Sequence, residues 1–113
     1  SGKQKRTYVH AHDCARIMLK IMLSNYTSTP VNIGFDDLIS IEEVTNIICR
    51  LSNLSPKIDF DKNMPEGKFI KSSNTLLLKS ILGSSFQQEI NLENGIIKMF
   101  DWYNFQFNKL FKS

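Results

Sequence analysis

Pro30-Val31-Asn32-Ile33-Gly34-Phe35-Asp36-Asp37-Leu38-Ile39-Ser40-Ile41-Glu42-Glu43 places a strand signal, a turn and a helix start in one short stretch. Val31-Asn32-Ile33 alternates and is β-prone, and Gly34 with the acidic pair Asp36-Asp37 ends it. Ser40 and Glu43 then form an S-x-x-E capping box, in which each side chain satisfies a backbone N–H that the helix start leaves free. Behind it Ile41, Val44, Ile47, Ile48 and Leu51 recur at intervals of three and four and make a buried stripe. A strand followed by a capped amphipathic helix argues for an α/β layer.

The flanking sequence repeats this alternation. Upstream, Thr7 to His10 reads as a strand, and Asp13 is expected to cap a helix with apolar residues Cys14, Ile17, Met18, Ile21 and Met22, leaving Arg16 and Lys20 on a wetter flank. Downstream, Lys57 to Asp61 alternates as a strand and leads into a loop holding Pro65, Gly67, Lys68 and Lys71. Asn74 is expected to cap a short helix, Thr75 to Leu82, with leucines in the core and an end at Gly83 in the left-handed conformation that only glycine adopts cheaply. A last helix from about Asn91 places Leu92, Ile96, Met99, Phe100, Tyr103 and Phe107 on one face and leaves Trp102, Phe105 and Phe111 off it. There is no internal repeat. The expected fold is α/β, a small mixed sheet with about four helices.

The 113 residues suffice for one domain, residues 1–113, and are too few for a nucleotide-binding domain plus a substrate domain. With 42% hydrophobic and 22% charged residues the chain falls in the globular range, which sets aside disordered and fibrous classes. Fourteen basic against 11 acidic residues give a net charge of +3, enough for an anion-binding surface but no polycation, so nucleic acid is disfavoured as a partner. Cys14 and Cys49 lie on apolar helix faces and read as free thiols of a reducing compartment. No apolar run approaches the roughly 20 residues of a membrane helix, and the polar start is unlike a signal peptide, so a cytoplasmic location without membrane contact is expected. Asn25-Tyr26-Thr27 and Asn53-Leu54-Ser55 match the glycosylation pattern and are read as accidental.

Arg6-Thr7-Tyr8-Val9-His10-Ala11-His12-Asp13 resembles the R-x-[FY]-[IVT]-[YFH]-[VI]-x-[DE] segment of extended short-chain dehydrogenase/reductases, the NAD-dependent epimerase/dehydratase family. The stretch from Pro30 to Ser40 is similar to the P-V-N-I-G-x-D-[ED]-x-[VI]-S run of its GDP-mannose 3,5-epimerase-like branch, and Asp36 favours that branch over GDP-L-fucose synthase-like enzymes, which usually carry glycine there. Pro65-Glu66-Gly67, Ser73-Asn74, Leu77 and Leu82-Gly83 look like the later motifs of that branch, and Trp102 like its terminal tryptophan. The chain departs from the pattern at His12, Asn74 and Ser84, where an acid, an aspartate and a tryptophan are usual.

This resemblance implies the carboxy-terminal substrate lobe of such an enzyme, without its amino-terminal Rossmann domain. Family members bind a nucleoside diphosphate sugar between the two domains. NAD(P) sits in the Rossmann half, and a Tyr-x-x-x-Lys dyad there performs the chemistry. Neither a dinucleotide turn nor the dyad occurs here: the residues four beyond Tyr8, Tyr26 and Tyr103 are His12, Pro30 and Phe107. The resemblance therefore implies a chain without catalytic residues or cofactor of its own, inactive alone, whose partners are the sugar nucleotide, the Rossmann domain and, for the whole enzyme, a second copy in a homodimer.

The matching arginine of the family holds the diphosphate, a role for which the paired, permanently charged donors of a guanidinium suit Arg6. Lys68 and Lys71 stand in the loop where relatives place a further basic residue, and Ser73 is a weaker candidate for a hydrogen bond to the sugar nucleotide. The bland alternative for all four is a solvated surface side chain.

Other clusters read as structure. His10 and His12 have a two-residue spacing that some metal sites use, but no further ligands complete a set. Asp59, Asp61 and Glu66 suggest paired carboxylates, yet alternation puts Asp59 and Asp61 on a solvated face opposite Ile58 and Phe60. Lys3, Lys5 and Arg6 support only a weak, salt-sensitive nucleic-acid reading. Trp102, Phe105 and Phe111 support a rival in which a non-enzymatic α/β module binds a protein partner through its last helix.

Overall fold

In the computed structural model the element order is β1 (Lys5–Arg6), α1 (Ala11–Leu23), β2 (Ile39–Ser40), α2 (Ile41–Leu51), β3 (Ile70–Lys71), α3 (Leu76–Leu82) and α4 (Leu92–Phe111). The structure describes residues 1–26, 29–61, 63–83 and 85–111, without the side chains of 108, 110 and 111. Thr27, Ser84 and the Phe111 side chain, each used in a sequence reading, lie outside the described residues.

Helix α2 starts as its sequence dictates. Ser40 N–H donates to Glu43 Oε2 at 2.8 Å and Glu43 N–H donates to Ser40 Oγ at 3.1 Å, closing the capping box. The intervening amides are taken by the chain's first residues: Ile41 N–H donates to the Gln4 carbonyl at 3.0 Å and Glu42 N–H to the Gly2 carbonyl at 2.9 Å. The amides that a helix start usually leaves open are therefore satisfied here by side chain and strand together.

Those contacts dock β1 beside β2 and β3 in the sheet order β2-β1-β3. β1 runs antiparallel to β2, with Lys5 opposite Ser40 and Arg6 opposite Ile39, and parallel to β3, with Lys5 opposite Ile70 and Arg6 opposite Lys71. Gly2 has φ +74°, and a Cβ there would come within 2.5 Å of Phe60 Cε1, so the ring of Phe60 closes over backbone that only glycine leaves bare.

Ile17 on α1 and Leu78 on α3 are the buried large apolar side chains among the described residues, and they sit where these helices pack. Helix α4 meets α2, tied by Arg50 Nη1 to Glu93 Oε1 at 2.9 Å. Its start is held by Asn91, whose Oδ1 accepts from Asn94 N–H at 2.9 Å.

The fold class agrees with the sequence reading: α/β, four helices and a small mixed sheet. Several elements differ. The strands expected at Thr7–His10, Val31–Ile33 and Lys57–Asp61 are absent, and the ladder uses two-residue strands elsewhere. The cap of α1 is His10, whose Nδ1 accepts from His12 N–H at 3.1 Å, because Asp13 lies inside the helix and is turned into the core. Thr75 rather than Asn74 occupies the cap position of α3, while Asn74 Oδ1 accepts from Leu76 N–H at 3.0 Å from one residue further back. Only Leu78 of the α3 leucines is core, and Leu76 is exposed. On α4, Leu92 and Ile96 are half-buried, but Met99, Phe100, Tyr103 and Phe107 are exposed. Trp102 and Phe105 are exposed as expected. Cys14 and Cys49 are half-buried free thiols.

Candidate functional site

The parallel register of β1 and β3 makes Arg6 and Lys71 direct neighbours, and residues opposite each other in a ladder project from the same face of the sheet. Ile39 lies across from Arg6 on the other side, so this face carries an aliphatic residue beside two cations. Arg6 is half-buried, and its Nη1 donates to the Lys5 carbonyl at 2.7 Å and to the Phe69 carbonyl at 3.5 Å. These bonds fix one edge of the guanidinium and leave Nη2 and Nε for a ligand. Lys71 is exposed, and among the described residues no hydrogen bond or ion pair engages its ammonium. The result is an immobilised planar cation beside a free point charge, an arrangement that suits a diphosphate.

Lys68 precedes β3 in the exposed loop, and Ser73 follows it in the connection to α3, also exposed. Both flank Lys71 along the chain, but only Arg6 and Lys71 are joined in the ladder. Glu66, in the same loop, accepts at its backbone carbonyl from Gln4 Nε2 at 3.4 Å.

Two residues beyond Arg6 the chain enters a cleft. Tyr8, Gln88 and Leu92 line two adjoining hollows of about 100 and 80 Å³, the larger completed by His10, Ile96 and Met99 and the smaller by Asp37 and Ile39. The 87–91 segment that walls the cleft is held by a buried carboxylate. Asp13, 0% exposed, accepts from Ile90 N–H at 2.9 Å and Glu89 N–H at 3.2 Å, and from Arg16 Nη1 at 2.7 Å. Burial alone pushes the Asp13 carboxyl up, but the Ile90 amide, Arg16 and the Glu89 amide together bring it below its ordinary value. Arg16 Nη2 also pairs with Glu89 Oε1 at 2.6 Å, and His12 Nε2 lies 3.0 Å from Glu89 Oε2.

Sequence reading passed over Asp13 as a pin and Tyr8 and Gln88 as cleft walls. The available signal was Asp13's position four residues before Ile17, on the buried stripe, where a carboxylate requires partners. The histidine pair has other uses, His10 as cap and His12 on Glu89, and no group of three metal-ligating side chains assembles among the described residues.

A dinucleotide-binding turn needs clustered bare backbone at an open helix start, and the start of α2 is already saturated by Ser40, Glu43, Gln4 and Gly2.

No family model matches the chain. Its homologues are sugar-nucleotide enzymes, and they cover about nine-tenths of it. In particular it is 28% identical over 102 residues to a GDP-L-fucose synthase of Sinorhizobium fredii, covering 89% of this chain and 31% of the relative. It is also 28% identical over 108 residues to GDP-mannose 3,5-epimerase 1 of Oryza sativa, covering 96% of this chain and 28% of the relative. The fold matches a GDP-L-fucose synthetase from Naegleria fowleri bound to NADP, with a TM-score of 0.84, 24% identity and coverage of 97% of this chain and 34% of that one. It also matches a GDP-6-OMe-4-keto-L-xylo-heptose reductase from C. jejuni, with a TM-score of 0.81, 23% identity and coverage of 94% and 32%. The chain spans about a third of the length of the curated relatives it matches.

Proposed function

We propose that this chain is the nucleoside diphosphate sugar-binding part of an NAD(P)-dependent sugar-nucleotide epimerase or reductase, residues 1–113 forming one substrate domain. The observation that carries the reading is the register of Arg6 against Lys71, two cations on one sheet face beside the Tyr8 cleft. Arg6 grips the diphosphate through its free guanidinium edge, Lys71 supplies a second charge, and Lys68 and Ser73 contact the nucleotide from either end of β3. One matched structure is bound to NADP, and in this reading the cofactor belongs to a partnering Rossmann domain and the chain alone is inactive.

The test is an NMR titration with GDP-mannose, UDP-glucose, dTDP-glucose and free GDP at moderate salt. Saturable shifts at the amides of residues 5–8 and 68–73, selective for one base, are expected. A folded sample that shows no shift with any of the four overturns the reading. The exposure of Trp102 and Phe105 favours a second reading, a non-enzymatic module that binds a protein partner through α4. That reading predicts that substitution of Arg6 and Lys71 leaves partner binding unchanged.

A further inference from the structure

Helix α4 is held by its first turns. Arg50 pairs with Glu93, and Gly95 is buried, where a Cβ would come within 3.3 Å of His10 Cδ2. From residue 97 to residue 107, about three turns, every side chain except that of Gln106 is exposed. A helical stretch of this length is marginal in water, because most helical stability in proteins comes from packing an amphipathic face. α4 has such a face. Met99, Tyr103 and Phe107 follow one another at four-residue intervals with Phe100 and Trp102 to either side, and they continue the half-buried stripe of Leu92 and Ile96. The rings of Tyr103 and Phe107 already stack, with centroids 6.2 Å apart.

The five side chains of this outer arc are between 38% and 65% exposed. At about 220 Å² for a side chain of this size, they leave on the order of 600 Å² in solvent. That equals the largest apolar patch of a typical monomer, about 300–600 Å². Two such arcs face to face bury about 1,200 Å², the lower limit of a specific interface. The charged residues of α4 are two of each sign, Glu93 and Asp101 against Lys98 and Lys109, so the helix selects neither an acidic nor a basic partner, nor an anionic lipid surface. A second α4 matches the arc in length, width and charge.

We infer that the outer arc of α4 is an interface between two copies of this chain, packed as an antiparallel pair of helices with Tyr103 on the two-fold axis. In a two-fold interface a residue on the axis meets its own copy, and Met99 of each chain then lies against the partner's Phe107. The antiparallel arrangement keeps the two bodies, each attached at the start of its α4, at opposite ends of the pair. The inference rests on helix stability, apolar area and charge balance, and is independent of the nucleotide-binding reading.

The experiment is sedimentation equilibrium of the 113-residue chain without ligand, from about 1 µM to about 1 mM, the range in which so small an interface associates. Monomer at the low end and dimer at the high end are expected. Tyr103→Lys should weaken the dimer at least about 100-fold, since both copies lose a central aromatic anchor, while Asp101→Ser on the opposite side of the helix should change it less than about 3-fold. With Cys14 and Cys49 replaced by serine, Tyr103→Cys should form a disulfide between copies on mild oxidation and Asp101→Cys should not. A chain that stays monomeric throughout overturns the inference, as does a dimer that Tyr103→Lys leaves intact. Tight binding of the monomer to phosphatidylcholine vesicles, lost in Tyr103→Lys, overturns the choice of occupant. Should Tyr103→Lys lose the exchange protection of the α2 amides as well, Phe107→Ser replaces it, with the same expected and overturning results.

Discussion

Arg6 and Lys71 stand opposite each other on neighbouring parallel strands, although they are 65 positions apart in the chain. Strands of two residues are too short to serve as scaffolding, and the ladder here does little more than bring those two positions together.

The pairing sets a graded expectation for ligand binding. Arg6→Lys removes the planar fork and should weaken GDP binding by about 10-fold or more, whereas Lys71→Gln should cost only several-fold. If both hold one diphosphate, the double variant Arg6→Lys/Lys71→Gln should lose less than the product of the single losses. Calorimetric titration of GDP into the four proteins measures this, and strict additivity would place the two cations on separate ligands.

Asp13 should behave as a structural pin for the cleft wall. Asp13→Ala leaves the Ile90 and Glu89 amides and one arm of Arg16 without their buried acceptor, a loss of about 3–5 kcal/mol. Asp13→Asn keeps the shape and one acceptor, and about 1–3 kcal/mol should be lost. Urea unfolding provides both values. A cost below about 0.5 kcal/mol for Asp13→Ala would show that the 87–91 segment is held by other contacts.

Acid should unfold this chain in a defined window. The Glu43 carboxyl is held below its ordinary value by the Ser40 hydroxyl and amide, that of Asp36 by Lys79 and Thr75, and that of Glu93 by Arg50. Asp13 is likewise lowered, despite its burial. A folded-state carboxyl below its unfolded value contributes stability that is fully present above the unfolded value and is lost as pH falls through the folded one. Thermal melts should therefore be nearly flat from pH 7 to about pH 5 and fall steeply below about pH 4. Glu43→Gln should shallow that fall, and a midpoint that rose on acidification would contradict the ion pairs and hydrogen bonds described.

How much of this the sequence disclosed depends on whether a signal is local. The α2 capping box, the end of α3 at Gly83 and the start of α4 at Asn91 are contained within a few residues, and each stands where it was read. Alternation at Val31–Ile33 and Lys57–Asp61 describes a surface suited to a sheet but names no partner, and neither segment finds one among the described residues. The true ladder residues, Lys5–Arg6, Ile39–Ser40 and Ile70–Lys71, form too short a pattern to register. Arg6, Lys68, Lys71 and Ser73 were all named from the sequence as possible ligands, but the adjacency of Arg6 and Lys71 is a matter of register, which only the folded chain supplies. The stripe of α4 was read as one apolar face, on which Met99 and Tyr103 stand exposed, because periodicity reports what a helix can bury and not whether a neighbour is present.

The carbonyls of Gly2 and Gln4 complete the amide set at the start of α2, so the first four residues act as that helix's own end-piece, attached from the far side of the sequence. Removing them would expose two helix amides, take Gly2 from beneath the Phe60 ring and free the strand that carries Arg6, in one step. The start of α2, the Phe60 loop and the strand that carries Arg6 thus share one set of backbone contacts with residues 2–4.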